Sequence, residues 1–191
     1  MPRWQPNAPD RLVLAALDLF AERGYEQTTV VDIAERAGVT KSTFFRHFRD
    51  KREVLFGRDA LSDVLVEAIE TAPEGASPLD AVARALDALA EQVFRADRRE
   101  LTARRRAAIA ANPELQEREA LKALALTTAM TDALKRRGTP DLQARVAAQL
   151  GALASTLAYE RWTQPGARAS YGELARAALR RLQDAAAALD A

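Results

Sequence analysis

Lys41, Ser42, Thr43, Arg46 and His47 stand close together in this chain, and their side chains offer what a nucleic acid is read with. Hydroxyls and an imidazole exchange hydrogen bonds with base edges and phosphate oxygens, and the ammonium and guanidinium add positive charge. The spacing puts these groups on one side of a helix, because Phe44 and Phe48, one turn apart, mark the opposite side as buried. Charge is concentrated at the same place. Between Arg36 and Arg52, six bases (Arg36, Lys41, Arg46, Arg49, Lys51 and Arg52) face one acid, Asp50, in a chain whose net charge is only +1. After Phe56 the two signs balance, so a phosphate-binding surface would be focused on one end.

Other chemistries find little support. There is no cysteine and a single histidine, which leaves no disulfide framework, no thiolate metal site and no histidine pair. No glycine-rich phosphate loop is present, and carboxylates are dispersed among arginines as on solvated helix faces. A catalytic base needs a specific partner within hydrogen-bond reach, and no spacing here supplies one. No enzymatic activity, metal or cofactor is expected. The longest uncharged run, Val146 to Tyr159, has fourteen residues, short of the roughly 20 apolar residues of a membrane helix. The opening MPRWQPNAPDR carries no apolar stretch before charge resumes, unlike a signal peptide. A prokaryotic cytoplasmic location is the expectation.

The polar groups need a scaffold to aim them, and the surrounding residues describe one. Thr29 can cap a helix, with Asp32 three residues on to complete a capping box. Val30, Ile33, Ala34 and Ala37 recur at helical spacing and would face a core. Gly38 ends that helix, since glycine readily takes the left-handed backbone angle of a sharp exit. Val39 fills the turn, and Thr40 can cap the next helix. The pattern is a helix-turn-helix whose second helix is short enough to enter a major groove.

Residues Asp10 to Phe56 resemble the DNA-binding domain of the tetracycline-repressor (TetR) family. The resemblance rests on Phe20-Ala21-Glu22-Arg23-Gly24-Tyr25, Thr28-Thr29-Val30, Asp32-Ile33-Ala34, Ala37-Gly38-Val39, Thr43-Phe44-Phe45, His47-Phe48, and Lys51 with Glu53. It implies DNA contacts from Thr29, Lys41, Ser42, Thr43, Phe45, Arg46, His47 and Lys51. Thr29, His47 and Lys51 would meet phosphate. Position 45 departs from the family, which commonly has a tyrosine whose hydroxyl reaches a phosphate. Phe45 lacks that hydroxyl and would pack against a sugar or a thymine methyl.

The rest of the chain reads as helices only, giving an all-α protein of about nine helices. Residues 10–56 form the expected DNA-binding domain, and 57–191 a helical domain for ligand binding and dimerisation. Met1 to Pro9 reads as a flexible arm, with Arg3 more readily disordered than set in a minor groove. Helix one covers Asp10 to Arg23. Asp50 would cap a long fourth helix reaching Thr71. Ser77-Pro78 starts helix five, which ends near Arg95, and Asp97 starts helix six. Asn112-Pro113 restarts the chain as helix seven, ending at Gly138. Helix eight reaches from Thr139-Pro140-Asp141 to Trp162, and Ser170 starts helix nine. Alanine is abundant and arginine far outnumbers lysine, which we read as coding bias more than as chemistry.

One short recognition helix reads too few base pairs to single out a genomic site, so a twofold pair on a palindromic operator is expected. The resemblance implies a four-helix interface of helices eight and nine from two subunits. Leu150, Leu153 and Leu157, with Leu174, Ala178 and Leu182, supply an apolar stripe for it. The duller assignment of these residues is the subunit's own core, and the two are compatible. In helix six, Arg104 and Arg105 share a face with Leu101, Ala108 and Ile109. Either they pair with an acid on a neighbouring helix, or they hold the charged head of an amphipathic effector whose apolar part lies among Phe94, Met130 and Trp162. Phe44-Phe45-Arg46 and the run Arg104 to Arg118, with Asn112-Pro113-Glu114-Leu115, also resemble the family branch with acyl-coenzyme A ligands. The expected function is a ligand-responsive homodimeric repressor, released from double-stranded DNA by a small molecule that tilts helix four. The competing reading is an all-α interaction or scaffold protein with a vestigial helix-turn-helix.

Overall fold

The computed structural model describes residues 7–56 and 60–188. Arg3 of the N-terminal arm lies outside them. Nine α-helices form among the described residues: α1 (Ala8–Arg23), α2 (Val30–Arg36), α3 (Lys41–His47), α4 (Ala60–Glu70), α5 (Pro78–Gln92), α6 (Arg99–Ala110), α7 (Pro113–Arg136), α8 (Asp141–Trp162) and α9 (Tyr171–Ala187). Single turns of 3-10 helix cover Glu53–Leu55 and Ala96–Arg98. No strand occurs among the described residues.

The helices begin where capping chemistry directs. Thr29, Ser77 and Ser170 each accept from the backbone N–H three residues on, and Asp32, Asp80 and Glu173 return the bond as full capping boxes. Thr40 caps α3 through Thr43 N–H. Such caps are typically worth about 1 kcal/mol each, and the short helices α2 and α3 need them most. Gly38, at φ +65°, turns the chain between those two helices.

The expected long fourth helix from Asp50 does not form as one piece. The Asp50 carboxylate accepts from the N–H groups of Arg52 and Glu53, at 2.8 and 3.0 Å, but only a 3-10 turn follows. Val54, Leu55 and Phe56 are all buried. Three successive α-helical residues cover about 200° of the helix circumference, too wide for one buried face. Residues 57–59 lie outside the described part, and α4 starts at Ala60. Helix five ends at Gln92 rather than near Arg95, and helix six follows a 3-10 turn rather than starting at Asp97.

The chain divides into two compact units, Met1–Arg58 with Leu101–Ala120, and Asp59–Glu100 with Leu121–Ala191. Most of α6 and the start of α7 therefore pack with the N-terminal helices, although they lie within the stretch 57–191. The first unit's core contains Leu12, Leu17, Phe20, Tyr25, Ile33, Phe44 and Leu55, joined by Ile109 and Leu115. Ile109 and Leu115 are almost fully buried, which stabilises by about 1.5–3 kcal/mol per side chain. Ion pairs add less. Arg104 meets Asp18 at 2.5 Å with both side chains more than a third exposed, and exposed pairs give about 0–1 kcal/mol. Apolar burial is what holds this segment.

The second unit is built from close helix packing. Ala81, Ala85, Ala133, Ala144, Ala148, Ala154 and Ala175 are fully buried at its centre, so the abundance of alanine has a packing role that coding bias does not describe. Gly151 of α8 marks a tight approach: a Cβ there would lie 2.4 Å from Val82 Cγ1 of α5. Trp162 and Tyr171 close one end, with Phe94 against both rings at centroid distances of 5.8 and 4.3 Å. Gly151→Ala should therefore force α5 and α8 apart and lower stability by about 1–3 kcal/mol. Thermal unfolding checks this, with a melting temperature reduced by roughly 2–4 °C per kcal/mol. An unchanged melting temperature would mean the approach relaxes without loss.

Candidate nucleic-acid interface

The interface candidate is the outer face of α3. Phe44 is fully buried and Phe48 nearly so, and Phe44 meets Phe48 and Phe45 at ring centroid distances of 5.6 and 5.5 Å. This anchoring leaves Lys41, Ser42, Phe45 and Arg46 exposed, with Thr43 and His47 half-buried. The sequence-predicted polar residues of α3 thus share a surface. Phe45 is 48% exposed, a large apolar ring held in solvent, with the Lys41 ammonium 5.9 Å from its centroid.

Two of those side chains, Thr43 and Arg46, form a connected set with the cap residue Thr40. Thr40 Oγ1 accepts from Thr43 N–H at 3.1 Å and lies 3.0 Å from Thr43 Oγ1. Arg46 Nη2 donates to Thr43 Oγ1 at 3.3 Å. The Thr43 hydroxyl is therefore already engaged within α3 and its cap.

Charge is less evenly available than the sequence suggests. Arg36 makes a two-pronged pair with Glu22, at 2.9 and 2.7 Å. Its hydrogen bond and charge lower the Glu22 carboxyl below its ordinary range. Arg52 pairs with Asp50 at 2.9 Å. Burial pushes the Asp50 carboxyl upward, but the hydrogen bonds from Arg52 and Glu53 outweigh it and leave it lowered. Lys41, Arg46 and Arg49 have no carboxylate partner among the described residues. With Lys51, whose partner is a carbonyl, four of the six cations have no carboxylate partner among the described residues, two of them on α3.

Lys51 takes an unexpected position. Its Nζ donates to the Tyr25 carbonyl at 2.8 Å and sits 3.9 Å from the Tyr25 ring centroid. Tyr25 is buried, and its hydroxyl donates to Glu114 at 3.2 Å. Burial, then the Glu114 carboxylate, raises the phenol above its ordinary range, so it stays protonated. Lys51 is expected at phosphate from its place in the motif; its long-range partner Tyr25 gave no sequence signal. An ammonium has three donors, so the bond to Tyr25 leaves others. Thr29 is likewise committed to its cap. Its hydroxyl donates to Asp32 at 2.6 Å. That bond, with the Thr29 N–H and Arg23, pulls the Asp32 carboxyl down to about 2.

The candidate effector residues are divided between the two units. Arg104 pairs with Asp18, and Arg105 Nε donates to the Leu55 carbonyl at 2.5 Å, with Glu119 at 3.7 Å and the Phe56 ring centroid at 5.1 Å. This is the pairing alternative, made within the first unit. A guanidinium on that face finds acceptors in α1, α7 and the turn at Leu55. Met130 and Trp162 are buried in the second unit's core and Phe94 is packed against it. Sequence spacing could not show that these acceptors converge.

The second unit carries an apolar stripe on α8. Leu142, Val146, Leu153 and Leu157 are exposed and Leu150 is half-buried. On α9, Leu174, Ala178 and Leu182 are half-buried beside the inward Tyr171, Ala175 and Leu179. A groove of about 390 Å³ continues the stripe between Leu142, Val146 and Leu150 of α8 and Pro78 and Leu79 of α5.

Comparison with known proteins bears on this geometry. Residues 12–57 match the family described as bacterial regulatory proteins, tetR family. The HTH-type transcriptional regulator TcmR of Streptomyces glaucescens is 44% identical over 85 residues, covering 44% of this chain and 38% of that protein. An HTH-type transcriptional repressor of Mycobacterium tuberculosis is 36% identical over 87 residues, covering 46% of this chain and 45% of its own length. The matches thus span less than half of these relatives. Over the whole chain, a transcriptional regulator from Rhodococcus sp. Rha1 is similar in structure, with a TM-score of 0.53 and 25% identity, covering 94% of this chain and 97% of that one. NalD of Pseudomonas aeruginosa shares the fold, with a TM-score of 0.61 at 20% identity over 93% of this chain and 95% of that one. Residues 12–57 thus match the N-terminal domain of the tetR family of bacterial regulatory proteins, and the all-helical fold that follows resembles solved transcriptional regulators.

Proposed function

We propose that this chain is a DNA-binding transcriptional regulator, a homodimeric repressor that a small molecule releases from a palindromic operator. The observation that carries the reading is α3. It buries Phe44 while exposing Lys41, Ser42, Phe45 and Arg46, and its two cations lack carboxylate partners among the described residues. A vestigial helix-turn-helix in a scaffold protein would have no reason to keep uncompensated cations on that face. DNA reading is assigned to residues 10–56, with Thr29, Thr43, His47 and Lys51 completing the contact set. Effector binding and dimerisation are assigned to 57–191.

The dimer reading draws support from the exposed α8 stripe, because contiguous exposed apolar surface marks an interaction site. Leu150, Leu153 and Leu157, with Leu174, Ala178 and Leu182, would form a four-helix seam with a second copy. Release would follow from an effector that favours a spacing of the two recognition helices unlike the ~34–36 Å of adjacent major grooves. Helix α4 is the proposed lever. DNA must then weaken effector binding by the same factor. The effector is proposed to be amphipathic and acyl-coenzyme A-like, held near Phe94, Met130 and Trp162. The pairing of Arg104 and Arg105 with Asp18 and the Leu55 carbonyl weighs against them as its anchor.

Footprinting the region beside the chain's own gene should show a twofold-symmetric protected site, and long-chain acyl-coenzyme A should abolish the protection. Absence of any protected site would sink the repressor reading. Protection that persists with the acyl-coenzyme A would sink only the effector class, and mass spectrometry of copurified small molecules would then identify the effector.

Lys51→Ala should weaken binding to operator and random DNA alike and reduce the salt dependence by about one charge per subunit. Lower stability with an unaltered salt slope would place Lys51 in the fold alone.

Leu153→Glu would put a charge without a partner into the seam, which costs several kcal/mol. Sedimentation should show monomers with the helix-turn-helix still folded. An intact, operator-binding dimer would locate the seam elsewhere.

A further inference from the structure

The connected side chains on α3 suggest a division of labour in base reading. The Thr43 hydroxyl has one hydrogen and two lone pairs. It accepts from Arg46 and shares a second hydrogen bond with Thr40. Whichever of the two hydroxyls donates, two of the three positions on Thr43 are used inside the helix and at most one remains. A bidentate base contact needs two, so Thr43 cannot make one. Arg46 presents five donors in a planar fork, of which the contact with Thr43 uses one. Its side chain is exposed and meets no carboxylate among the described residues, unlike Arg23, Arg36 and Arg52. An arginine's long side chain loses much rotamer freedom when fixed, and an existing hydrogen bond on the same helix lessens that loss at the moment of binding. The Thr40–Thr43 link in turn ties the tether to the helix cap.

We propose that Arg46 is the specificity-determining residue of α3, reading one guanine in each half-site through its O6 and N7. Thr43 is the positioning residue that holds the guanidinium for this contact. The match of a planar two-pronged donor to the two acceptors on a guanine's major-groove edge fixes the base. Lys41 carries charge too, but as a flexible point cation near the Phe45 ring it has no comparable tether. This inference rests on the DNA-binding reading above.

The test is selection of bound duplexes from a pool with a randomised centre, using the full chain, followed by titration of a selected duplex. The parent protein should enrich one guanine per half-site. Replacing it by 7-deazaguanine, which deletes only the N7 acceptor, should weaken binding on the order of tenfold. Arg46→Ala should lose both the enrichment and the sensitivity to 7-deazaguanine. Thr43→Ala should blur the preference at that same position, and Thr43→Ser, which keeps the hydroxyl, should restore it. A merely structural Thr43 would lower affinity without touching the base preference. The proposal is overturned if 7-deazaguanine is tolerated, if the guanine preference follows Lys41→Ala instead, or if Thr43→Ala alters a different base position. Failure to enrich any duplex would remove the DNA-binding reading as well, and so separates the two.

Discussion

Everything on the outer face of α3 depends on the burial of Phe44. A helix of seven residues has no stability of its own in water, because its nucleation is unfavourable and few hydrogen bonds follow. It exists because one fully buried aromatic ring, with Phe48 a turn later, ties it to a core shared with α1 and α2. The same anchoring fixes rotation about the helix axis. With Phe44 inward, Lys41, Ser42, Phe45 and Arg46 have no choice but to face outward. The polar surface is thus a geometric result of an apolar contact.

The two units use different packing materials. The first is filled by large aliphatic and aromatic side chains around short helices. The second brings long helices together on alanines and a glycine, so its backbones approach closely where α5 meets α8. Its apolar residues that are not needed inside appear on the outer side of α8. A helix with buried alanines on one side and exposed leucines on the other is suited to having neighbours on both.

Local rules were well written in the sequence. The capping boxes at Thr29, Ser77 and Ser170, the glycine turn at Gly38 and the buried side of α3 all depend on residues within a turn or two of each other. What escaped was set by distant partners. Lys51 gave no sign in the sequence of its bond to the Tyr25 carbonyl and its place over the Tyr25 ring, because Tyr25 is far away along the chain. Arg104 and Arg105 look unmatched along their own helix, because Asp18 and the Leu55 carbonyl arrive from elsewhere in the chain. The count of six bases overstated the free charge for the same reason: Glu22 lies outside the counted window. The break after Leu55 escaped because helical periodicity says little when three successive apolar residues are all buried.

The insertion of Ile109 and Leu115 into the first unit's core also bears on how freely such proteins can be recombined. The family match ends at residue 57, which invites splicing there to join a different N-terminal head to one helical body. In this chain that cut would separate the head from part of its own interior. A transplanted head would expose the surface that Ile109 and Leu115 cover, and a foreign head would meet side chains shaped for another. The compatible unit of exchange is therefore discontinuous, and heads and bodies in such chains must change together or be matched at the α6–α7 segment.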